Sequence, residues 1–472
     1  MNARAVVLAA GKGTRMKSAR PKVLHELCGR PMLWWVLEAL NAAGVDDVIV
    51  VTNPELDPLL APLGVRTVIQ HEQLGTGHAV KIALEALEPR DGSVIVAYGD
   101  MPLVDRTIFS DVQAALDSDA ATALALVTAR MPLPSSFGRI VRTSILPSFR
   151  SATATADESS TEPALDAGSV ERIVEAKDCT AEQLSIDEMN AGIYAFGEAA
   201  LRAIVPRIGN DNAQREYYLT DAVELLIAAG RRVVPVPVAD YRSVLGVNDR
   251  VELASAGAIL NRRLCEEHMR AGVTIQDPAT TYLEPGVLIG RDTVIEHGTQ
   301  LSGATAIGAG CTIGPNCRIA NARIGDDVRI TESVVLDSAV GAGTRIGPYA
   351  HLRGGASLGA NVRIGNFVEI KKSDLADDVK ANHLAYIGDA TVGERTNYGA
   401  GAITCNYDGK RKNRTQIGSD VFIGTNNSLV APLSIGDGAM TGASAVVIRD
   451  VPAGDKQVGN PARSIAKKPA QT

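Results

Sequence analysis

An aliphatic residue returns at every sixth position through residues 273–451 of this 472-residue chain. A small residue usually follows it, as in Ile289-Gly290 and Ile307-Gly308. This spacing is typical of short strands that are joined by tight turns and stack as the coils of a prism, with the aliphatic side chains inward. It predicts a parallel β-helix of hexapeptide repeats. The expected inward positions are Ile289, Ile295, Leu301, Ile307, Ile313, Ile319, Ile324, Ile330, Ile346, Leu352, Leu358, Ile364, Ile370, Ile417, Ile423, Leu429 and Ile435.

The residues before about position 250 follow a different pattern. Strand-like apolar runs alternate there with helix-like spacing, which predicts a mostly parallel, Rossmann-like mixed sheet covered by helices. Residues 251–271 contain no proline and place apolar residues at helical spacing, so one helix is expected to join the two parts. We therefore expect three segments, at 1–250, 251–271 and 272–472, with a frayed C-terminal tail. The strand-like runs lie at 5–9, 48–52, 93–97, 122–127 and 233–238.

Two stretches interrupt these patterns. Residues 144–169 are rich in Ser, Thr, Ala and Pro with little periodicity, and we expect an exposed, mobile insertion there. Residues 404–415 (TCNYDGKRKNRT) are polar and basic, and they must leave the prism as a loop. Loops that leave a regular scaffold often carry function.

Composition excludes several classes of protein. The chain has 47 basic and 54 acidic residues, a balance that argues against a protein that wraps nucleic acid. It has no run of 18 apolar residues, so no membrane insertion is expected, and its apolar N-terminal stretch is too short for a signal peptide. Six cysteines without CxxC spacing fit a reduced, cytoplasmic protein, and Cys311 and Cys317, one hexad apart, are expected to fill the core.

A glycine turn follows the first strand-like run. Residues 11–16 read GKGTRM, and Pro21-Lys22 comes shortly after. Glycines let backbone N–H groups approach and cradle phosphates. A third glycine of the dinucleotide-binding pattern is missing, and the cations Arg15 and Lys22 follow instead, which favours a triphosphate. A strand-to-helix turn with surface cations is the alternative.

The segment LAAGKGTRM followed by PK resembles the signature of sugar-nucleotide pyrophosphorylases. Together with the hexapeptide repeat, all of the chain except 144–169 resembles the bacterial bifunctional N-acetylglucosamine-1-phosphate uridyltransferases/glucosamine-1-phosphate acetyltransferases. The resemblance implies an α/β nucleotidyltransferase domain, a linker helix and a left-handed parallel β-helix that carries the acetyltransferase. It also implies UTP, N-acetylglucosamine 1-phosphate, glucosamine 1-phosphate and acetyl-CoA as substrates, Mg²⁺ as cofactor, a homotrimer, and a role in peptidoglycan and lipopolysaccharide precursor synthesis.

The resemblance also implies the residues of the uridyltransferase site. Arg15 and Lys22 would act on the phosphates, and Asp100 and Asn248 would bind Mg²⁺. A Gln70 amide would read the uracil edge by a donor–acceptor pair. Taken singly, Asp100 could be a cap, Asn190 a turn residue and Gln70 an exposed strand residue. The full implied set is Leu8, Ala9, Ala10, Gly11, Lys22, Gln70, Gly75, Thr76, Tyr98, Gly99, Asp100, Gly138, Glu175, Asn190 and Asn248.

The implied acetyltransferase site centres on His383, in KANHLAYIGD. A neutral imidazole can take the proton from an attacking amine, whereas a lone histidine on a coil face is the alternative. The other six histidines have no comparable surroundings in the sequence. Thr425 stands where the family often has Ser. Either Arg463 makes the family's C-terminal basic contact with CoA, or this contact is missing. The implied sugar-phosphate residues are Arg353, Lys371, Tyr386 and Asn397, and the implied acetyl-CoA residues are Ala400, Asn406, Tyr407, Thr425 and Ala443.

Two other functions remain open at this point. One is a nucleotidyltransferase for another sugar, with a β-helix that only regulates or oligomerises. The other is a scaffolding trimer with decayed sites.

Overall fold

The computed structural model describes residues 2–143 and 169–465. The expected insertion, apart from Ser169, and the end of the tail lie outside these residues. The N–H of Thr143 donates to the carbonyl of Ser169 (2.9 Å), so the described chain closes across this gap. The chain divides into two compact units, Met1–Ala256 and Gly257–Thr472.

Unit 1 combines eleven described strands with five complete α-helices. Its strands are β1 (Ala3–Leu8), β2 (Glu26–Leu27), β3 (Arg30–Pro31), β4 (Asp47–Thr52), β5 (Arg66–Ile69), β6 (Ser93–Tyr98), β7 (Thr122–Arg130), β8 (Arg139–Arg142), β9 (Val170–Val174), β10 (Glu188–Gly197) and β11 (Arg232–Val238). Its helices are α1 (Met32–Ala42), α2 (Thr76–Glu85), α3 (Arg106–Asp117), α4 (Glu198–Ile204) and α5 (Asp221–Ala228).

One mixed sheet organises unit 1, in the order β11-β7-β10-β6-β1-β4-β5, with β8 and β9 attached beside β10. Strands β6, β1, β4 and β5 run parallel, and β10 is antiparallel to both of its neighbours. Alternate residues of β1 pack in two different hydrophobic cores, one on each face of the sheet. Val7 packs in the core covered by α1 and α3, and Val6 packs in the core covered by α2, α4 and α5. The predicted Rossmann-like mixed sheet is confirmed. Its parallel strands bring their carboxyl ends to one edge, where ligands of such sheets bind.

Helix α6 (Arg250–Arg270) begins after Asp249, whose carboxylate accepts from the N–H groups of Val251 and Glu252 at 2.8 and 2.9 Å. Such a cap satisfies donors that have no partner inside the helix. The boundary between the two units falls within α6. In unit 2, the buried Asn261 side chain donates to the Thr281 carbonyl at 2.7 Å and accepts from the Leu283 N–H at 3.1 Å. The second part of α6 is thereby fastened to the start of the β-helix.

Very short strands make up the rest of unit 2. In chain order they are β12 (Thr274–Ile275), β13 (Tyr282–Leu283), β14 (Leu288–Ile289), β15 (Val294–Ile295), β16 (Gln300–Ser302), β17 (Ala306–Ile307), β18 (Thr312–Ile313), β19 (Arg318–Ala320), β20 (Arg323–Ile324), β21 (Arg329–Ile330), β22 (Val334–Leu336), β23 (Ala339–Val340), β24 (Arg345–Ile346), β25 (His351–Arg353), β26 (Ser357–Leu358), β27 (Arg363–Asn366), β28 (Glu369–Lys371), β29 (Asp374–Leu375), β30 (Lys380–His383), β31 (Tyr386–Gly388), β32 (Ala390–Val392), β33 (Asn397–Tyr398), β34 (Ile403–Cys405), β35 (Thr415–Ile417), β36 (Phe422–Ile423), β37 (Ser428–Val430), β38 (Leu433–Ile435), β39 (Met440–Thr441), β40 (Val446–Val447), β41 (Lys456–Val458) and β42 (Arg463–Ser464).

These strands form three faces, because strands one coil apart pair in parallel. The last strand, β42, is the exception and pairs antiparallel to β41. Face A starts β12-β15-β18, face B starts β13-β16-β19 and face C starts β14-β17-β20. Inward aliphatics meet in register, as Ile295 does with Ile313 and Ile313 with Ile330. Burying each such side chain contributes roughly 1.5–3 kcal/mol. The predicted parallel β-helix is confirmed, and Cys311 and Cys317 lie in its core.

Residues 406–414 form an ordered loop between β34 and β35. The Asp408 carboxylate accepts from the N–H groups of Lys410 and Arg411 at 2.8 and 2.7 Å. These hydrogen bonds favour the ionised carboxylate and lower the pKa of Asp408. The N–H of Asn413 donates to the Asn406 carbonyl at 2.7 Å, which closes the loop at its base.

The register of inward aliphatics yields a stability prediction. Replacing Ile313 with Ala should lower the free energy of unfolding of unit 2 by about 2–5 kcal/mol, because a cavity replaces a buried side chain. Both tryptophans, Trp34 and Trp35, lie in unit 1. In urea titrations, the circular-dichroism transition of unit 2 should move to lower urea while the tryptophan transition stays. Replacing the exposed, outward Arg329 with Ala is the control, and equal shifts for both variants would contradict the account.

Candidate active sites

The glycine turn after β1 is anchored to neighbouring strands. The N–H of Ala9 donates to the Val51 carbonyl at 2.8 Å, and the Asn53 side chain donates to the Ala10 carbonyl at 3.1 Å. Gly13 has φ +58°, and a Cβ added there would lie 2.5 Å from Cβ of Lys22. Only glycine combines this conformation with such a close approach. The turn therefore packs directly on the segment that carries Lys22.

A cavity of about 360 Å³ opens beside this turn. Of the residues implied by the resemblance, Ala9, Gly11 and Lys22 line it. Leu8 is buried in β1, Ala10 does not line the cavity, and Arg15 is exposed on the short helix Thr14–Met16 outside the lining. Sequence reasoning did not include the other polar lining residues, which are Lys12, Ser18, Arg20, Asn53, Glu55, His71 and Gln73.

Lys22, Asp100 and Asn248 converge from three parts of unit 1. The Lys22 ammonium group forms an ion pair with the Asp100 carboxylate and donates to Asn248 Oδ1 at 3.1 Å. The N–H of Asn248 is held by Glu252 Oε2 (2.6 Å), and the N–H of Val247 donates to the Asp100 carbonyl (2.9 Å). A carboxylate oxygen of Asp100 and the amide oxygen of Asn248 thus both contact the Lys22 ammonium group.

This oxygen pair fits Mg²⁺, which takes one or two protein ligands and completes its shell with phosphates and water. Within residues 2–143 and 169–465, no group of three or more His, Cys, Asp or Glu side chains could hold a metal alone. An ion at Asp100 and Asn248 would therefore complete its shell with phosphate and water oxygens.

A second cavity of about 240 Å³ is lined by Asp100 and Asn248. Tyr98, Gly138, Glu175 and Asn190 also line it, so six implied residues come together here. Gly99 lies behind them, and its N–H donates to the Leu8 carbonyl at 2.9 Å. The lining residues that sequence reasoning missed are Met101, Ser136, Phe137, Ala191, Gly192 and Gly246.

Hydrogen bonds fix the polar groups of this second cavity. Asn190 donates from Nδ2 to the Tyr194 hydroxyl at 2.7 Å and accepts the N–H of Gly192 at 3.1 Å. Burial raises the pKa of Glu175, while a hydrogen bond from the Thr220 hydroxyl (3.2 Å) acts in the opposite direction. Burial likewise raises the pKa of Tyr98, which keeps its hydroxyl protonated. The cavity therefore presents hydroxyl and amide groups beside the carboxyl groups of Glu175 and Asp100, a set suited to sugar hydroxyls.

Gln70 lies directly after β5, and Gly75 and Thr76 lie at the start of α2. Gln70 is 3% exposed and follows β5, so the alternative of an exposed strand residue is wrong. Gly75 has φ +110°, and a Cβ there would lie 2.6 Å from the Tyr217 carbonyl oxygen. The Thr76 hydroxyl accepts the N–H of Leu219 at 3.0 Å. This segment is held firmly against the chain at 217–219.

In unit 2, Arg353, Lys371 and Tyr386 come together on face B. Arg353 pairs in register with Lys371, one coil later, and Arg353 Nε donates to Glu369 Oε1 at 2.8 Å. The Lys371 ammonium group lowers the pKa of Lys412, a loop residue that sequence reasoning missed. Several cations beside one another are suited to a phosphate group.

Asn406, at the start of the loop, contacts Tyr386 of this group, and Tyr407 follows it. Asn406 Nδ2 donates to Asp389 Oδ2 (2.5 Å) and to the Tyr386 hydroxyl (3.4 Å). Tyr407 is exposed and donates its hydroxyl to the Gly409 carbonyl (2.8 Å).

The remaining implied residues of unit 2 lie elsewhere on the same chain. His383 ends β30 on face A, is exposed, and has Nδ1 3.1 Å from Asn366 Oδ1. Asn397 lies on the next strand of face A, where it pairs with Lys380. Ala400, Thr425 and Ala443 occupy equivalent corners of successive coils after face A, and Arg463 lies on β42 opposite Val458. Within one chain, the implied acetyltransferase residues therefore form two groups, one on face B and one on face A with the corners that follow it.

Two glycines of the glycine turn are predicted to differ in their effect on stability. Gly13→Ala should destabilise unit 1 by about 1–2 kcal/mol, because alanine is strained at positive φ and its Cβ meets Lys22. Gly11→Ala should leave stability nearly unchanged, because nothing lies within 4 Å of an added Cβ. Tryptophan fluorescence in urea measures both variants, and equal stabilities would contradict the packing of the turn.

Family comparisons agree with both halves of this description. Residues 5–167 match the MobA-like NTP transferase domain, and residues 283–363 match the GMPPB C-terminal domain. The "Bifunctional protein GlmU" of Halalkalibacterium halodurans is 44% identical over 450 residues, 95% of this chain and 94% of the relative. Those of Acetivibrio thermocellus and Mycolicibacterium gilvum are 42% identical over 450 residues (95% and 93%) and 44% identical over 476 residues (98% and 91%). The chain belongs to the GlmU family of bifunctional proteins.

Proposed function

We propose that unit 1 transfers UMP from UTP to N-acetylglucosamine 1-phosphate, and that unit 2 acetylates glucosamine 1-phosphate with acetyl-CoA. The observation that carries the first assignment is the meeting of Lys22 with Asp100 and Asn248. Lys22 lines the cavity of the glycine turn, whereas the other two line the second cavity. A phosphate that joins a nucleotide to a sugar would lie at this meeting point.

Uridyl transfer at this point needs positioning more than proton transfer. The sugar phosphate is already an anion, and it attacks the α-phosphorus of UTP as pyrophosphate leaves. Lys22 and the backbone of residues 9–13 would stabilise charge on the phosphates. Asp100 and Asn248 would hold Mg²⁺, which supplies further charge neutralisation when bound. Arg15 is a second candidate cation on the same turn, because its exposed side chain is free to reach a long triphosphate.

His383 would act as the general base of acetyl transfer. With Asn366 Oδ1 as acceptor, Nδ1 of His383 carries the ring hydrogen and Nε2 keeps a lone pair. That nitrogen can take a proton from the amine of glucosamine 1-phosphate as the amine attacks the thioester carbonyl, the C–S bond breaks and the CoA thiolate leaves. Arg353, Lys371 and Lys412 would bind the phosphate of this substrate.

A homotrimer would complete the acetyltransferase site. In one chain, Arg353, Lys371 and Tyr386 lie on face B. Asn397 lies on face A, and Ala400 lies at the corner that follows it. Three apolar side chains, Tyr349, Phe367 and Leu384, project from successive corners beside His383 at 54%, 58% and 63% exposure. Such an exposed apolar row supports a contact between copies of the chain. CoA would then lie between copies, against the corners at Ala400, Thr425 and Ala443.

The location proposed for this enzyme is the cytoplasm. The six cysteines, all within the described residues, form no disulfide, as expected in a reducing compartment. Among the described residues, no helix is long and apolar enough to cross a membrane.

The first test separates the two activities at His383. His383→Ala should lower acetyl transfer by about 10²–10⁴-fold, because the general base is lost. Uridyl transfer from UTP should stay near the wild-type rate. His297→Ala, at another exposed β-helix histidine, is the matched control and should keep both activities. Equal loss of both activities in His383→Ala would show a structural role instead.

The second test concerns the site at Asp100. Asp100→Asn should abolish most uridyl transfer and spare acetyl transfer, because one oxygen ligand loses its charge. Binding of Mn²⁺ in the presence of UTP, followed by electron paramagnetic resonance, should weaken in parallel. Asp111→Asn, at an exposed helix position, is the control. Unchanged Mn²⁺ binding in Asp100→Asn would refute the ligand role.

A further inference from the structure

The side-chain amide of Gln70 has its orientation set by two acceptors together, the Gly75 carbonyl and the His78 ring. Gln70 is 3% exposed, and its Nε2 lies 3.2 Å from the Gly75 carbonyl oxygen. A carbonyl oxygen only accepts hydrogen bonds, so the amide atom that faces it must be the nitrogen. Rotating the amide by 180° would place two acceptors against each other.

The second hydrogen of this amide goes to His78. Nδ1 of His78 lies 3.1 Å from Gln70 Nε2. Because Nε2 only donates, Nδ1 must accept, and the ring hydrogen of a neutral His78 is then on its Nε2. Both donors of Gln70 are therefore used inside the protein. Among the residues that the structure describes, none donates to Gln70 Oε1.

His78 itself is held in place. It is the third residue of α2, and the N–H of Gly77, its neighbour, donates to the Tyr217 carbonyl at 2.8 Å. The N–H of Tyr217 in turn donates to the Leu74 carbonyl at 2.8 Å. The imidazole also lies beside the Tyr217 ring, with 6.3 Å between ring centroids. The acceptor that orients Gln70 is thus carried by a rigid element, as a specificity determinant requires.

We propose that His78 is a positioning residue that sets the choice of nucleotide base in uridyl transfer. His78 and the Gly75 carbonyl together take both hydrogens of Gln70 Nε2, which leaves Oε1 as the amide atom that can accept from the base. Uracil offers an N3–H donor to such an oxygen, whereas cytosine has a lone pair at N3 and is repelled. This inference rests on the proposed function, and it replaces the expected donor–acceptor pair at Gln70 with a single acceptor.

Two substitutions at one position test the proposal. His78→Leu removes the acceptor, whereas His78→Asn can place its Oδ1 near the position of Nδ1. We expect His78→Leu to lower the ratio of kcat/KM for UTP over CTP by about tenfold or more, and His78→Asn to keep that ratio within about threefold. A purely structural residue would lower kcat/KM for both nucleotides and leave their ratio unchanged. An unchanged ratio in His78→Leu, or equal ratios in the two variants, overturns the proposal.

A measurement on the wild-type protein keeps the proposal testable if a variant fails to fold. Long-range ¹H–¹⁵N NMR of ¹⁵N-histidine-labelled protein, with His78→Asn to assign the resonance, should show an unprotonated Nδ1 and a protonated Nε2. A hydrogen on Nδ1 overturns the proposal. A wild-type protein that makes no UDP-sugar from UTP refutes the proposed function and this inference together. An unchanged UTP-to-CTP ratio in a protein that uses UTP refutes the role of His78 alone.

Discussion

The in-register stacking of inward aliphatics is the constraint on which unit 2 depends. Ile295, Ile313 and Ile330 pair strand by strand, and every outward residue inherits its position from that register. Arg353 meets Lys371 because both follow an inward residue of face B, one coil apart. A one-residue slip would turn these cations inward. The core thus fixes the surface chemistry as well as the stability of the coil.

In unit 1, the equivalent constraint is the parallel edge formed by β1, β4 and β6. It brings the glycine turn after β1 close to Asp100 after β6, although they are far apart in sequence. The ion pair of Lys22 and Asp100 then joins two cavities of different character, one lined by several cations and one lined by hydroxyl, amide and carboxyl groups. A site for a nucleotide and a sugar phosphate needs both, because the phosphates of the nucleotide require cations and the sugar requires hydrogen-bonding groups. The mechanism proposed for uridyl transfer follows from this junction.

Periodicity and local motifs predicted much of this arrangement. The six-residue period predicted the β-helix because it is a local property of sequence, and the GKGTRM turn likewise indicated the position of Lys22. Pairings across the fold could not be predicted in this way. Nothing near Gln70 in sequence shows that its two donors are used by Gly75 and His78, because this depends on how α2 docks. Lys412 was missed for the same reason, since only the folded loop brings it near Lys371.

The central claim is that one chain carries out two chemically different transfers. The most direct measurement is release of free CoA thiol by the purified protein, given acetyl-CoA with glucosamine 1-phosphate as the only acceptor, followed by addition of UTP and Mg²⁺. The account predicts thiol release at enzymatic rates, and then formation of UDP-N-acetylglucosamine and pyrophosphate in the same tube. A protein that makes the UDP-sugar from supplied N-acetylglucosamine 1-phosphate but releases no thiol would contradict it. The β-helix would then serve assembly alone.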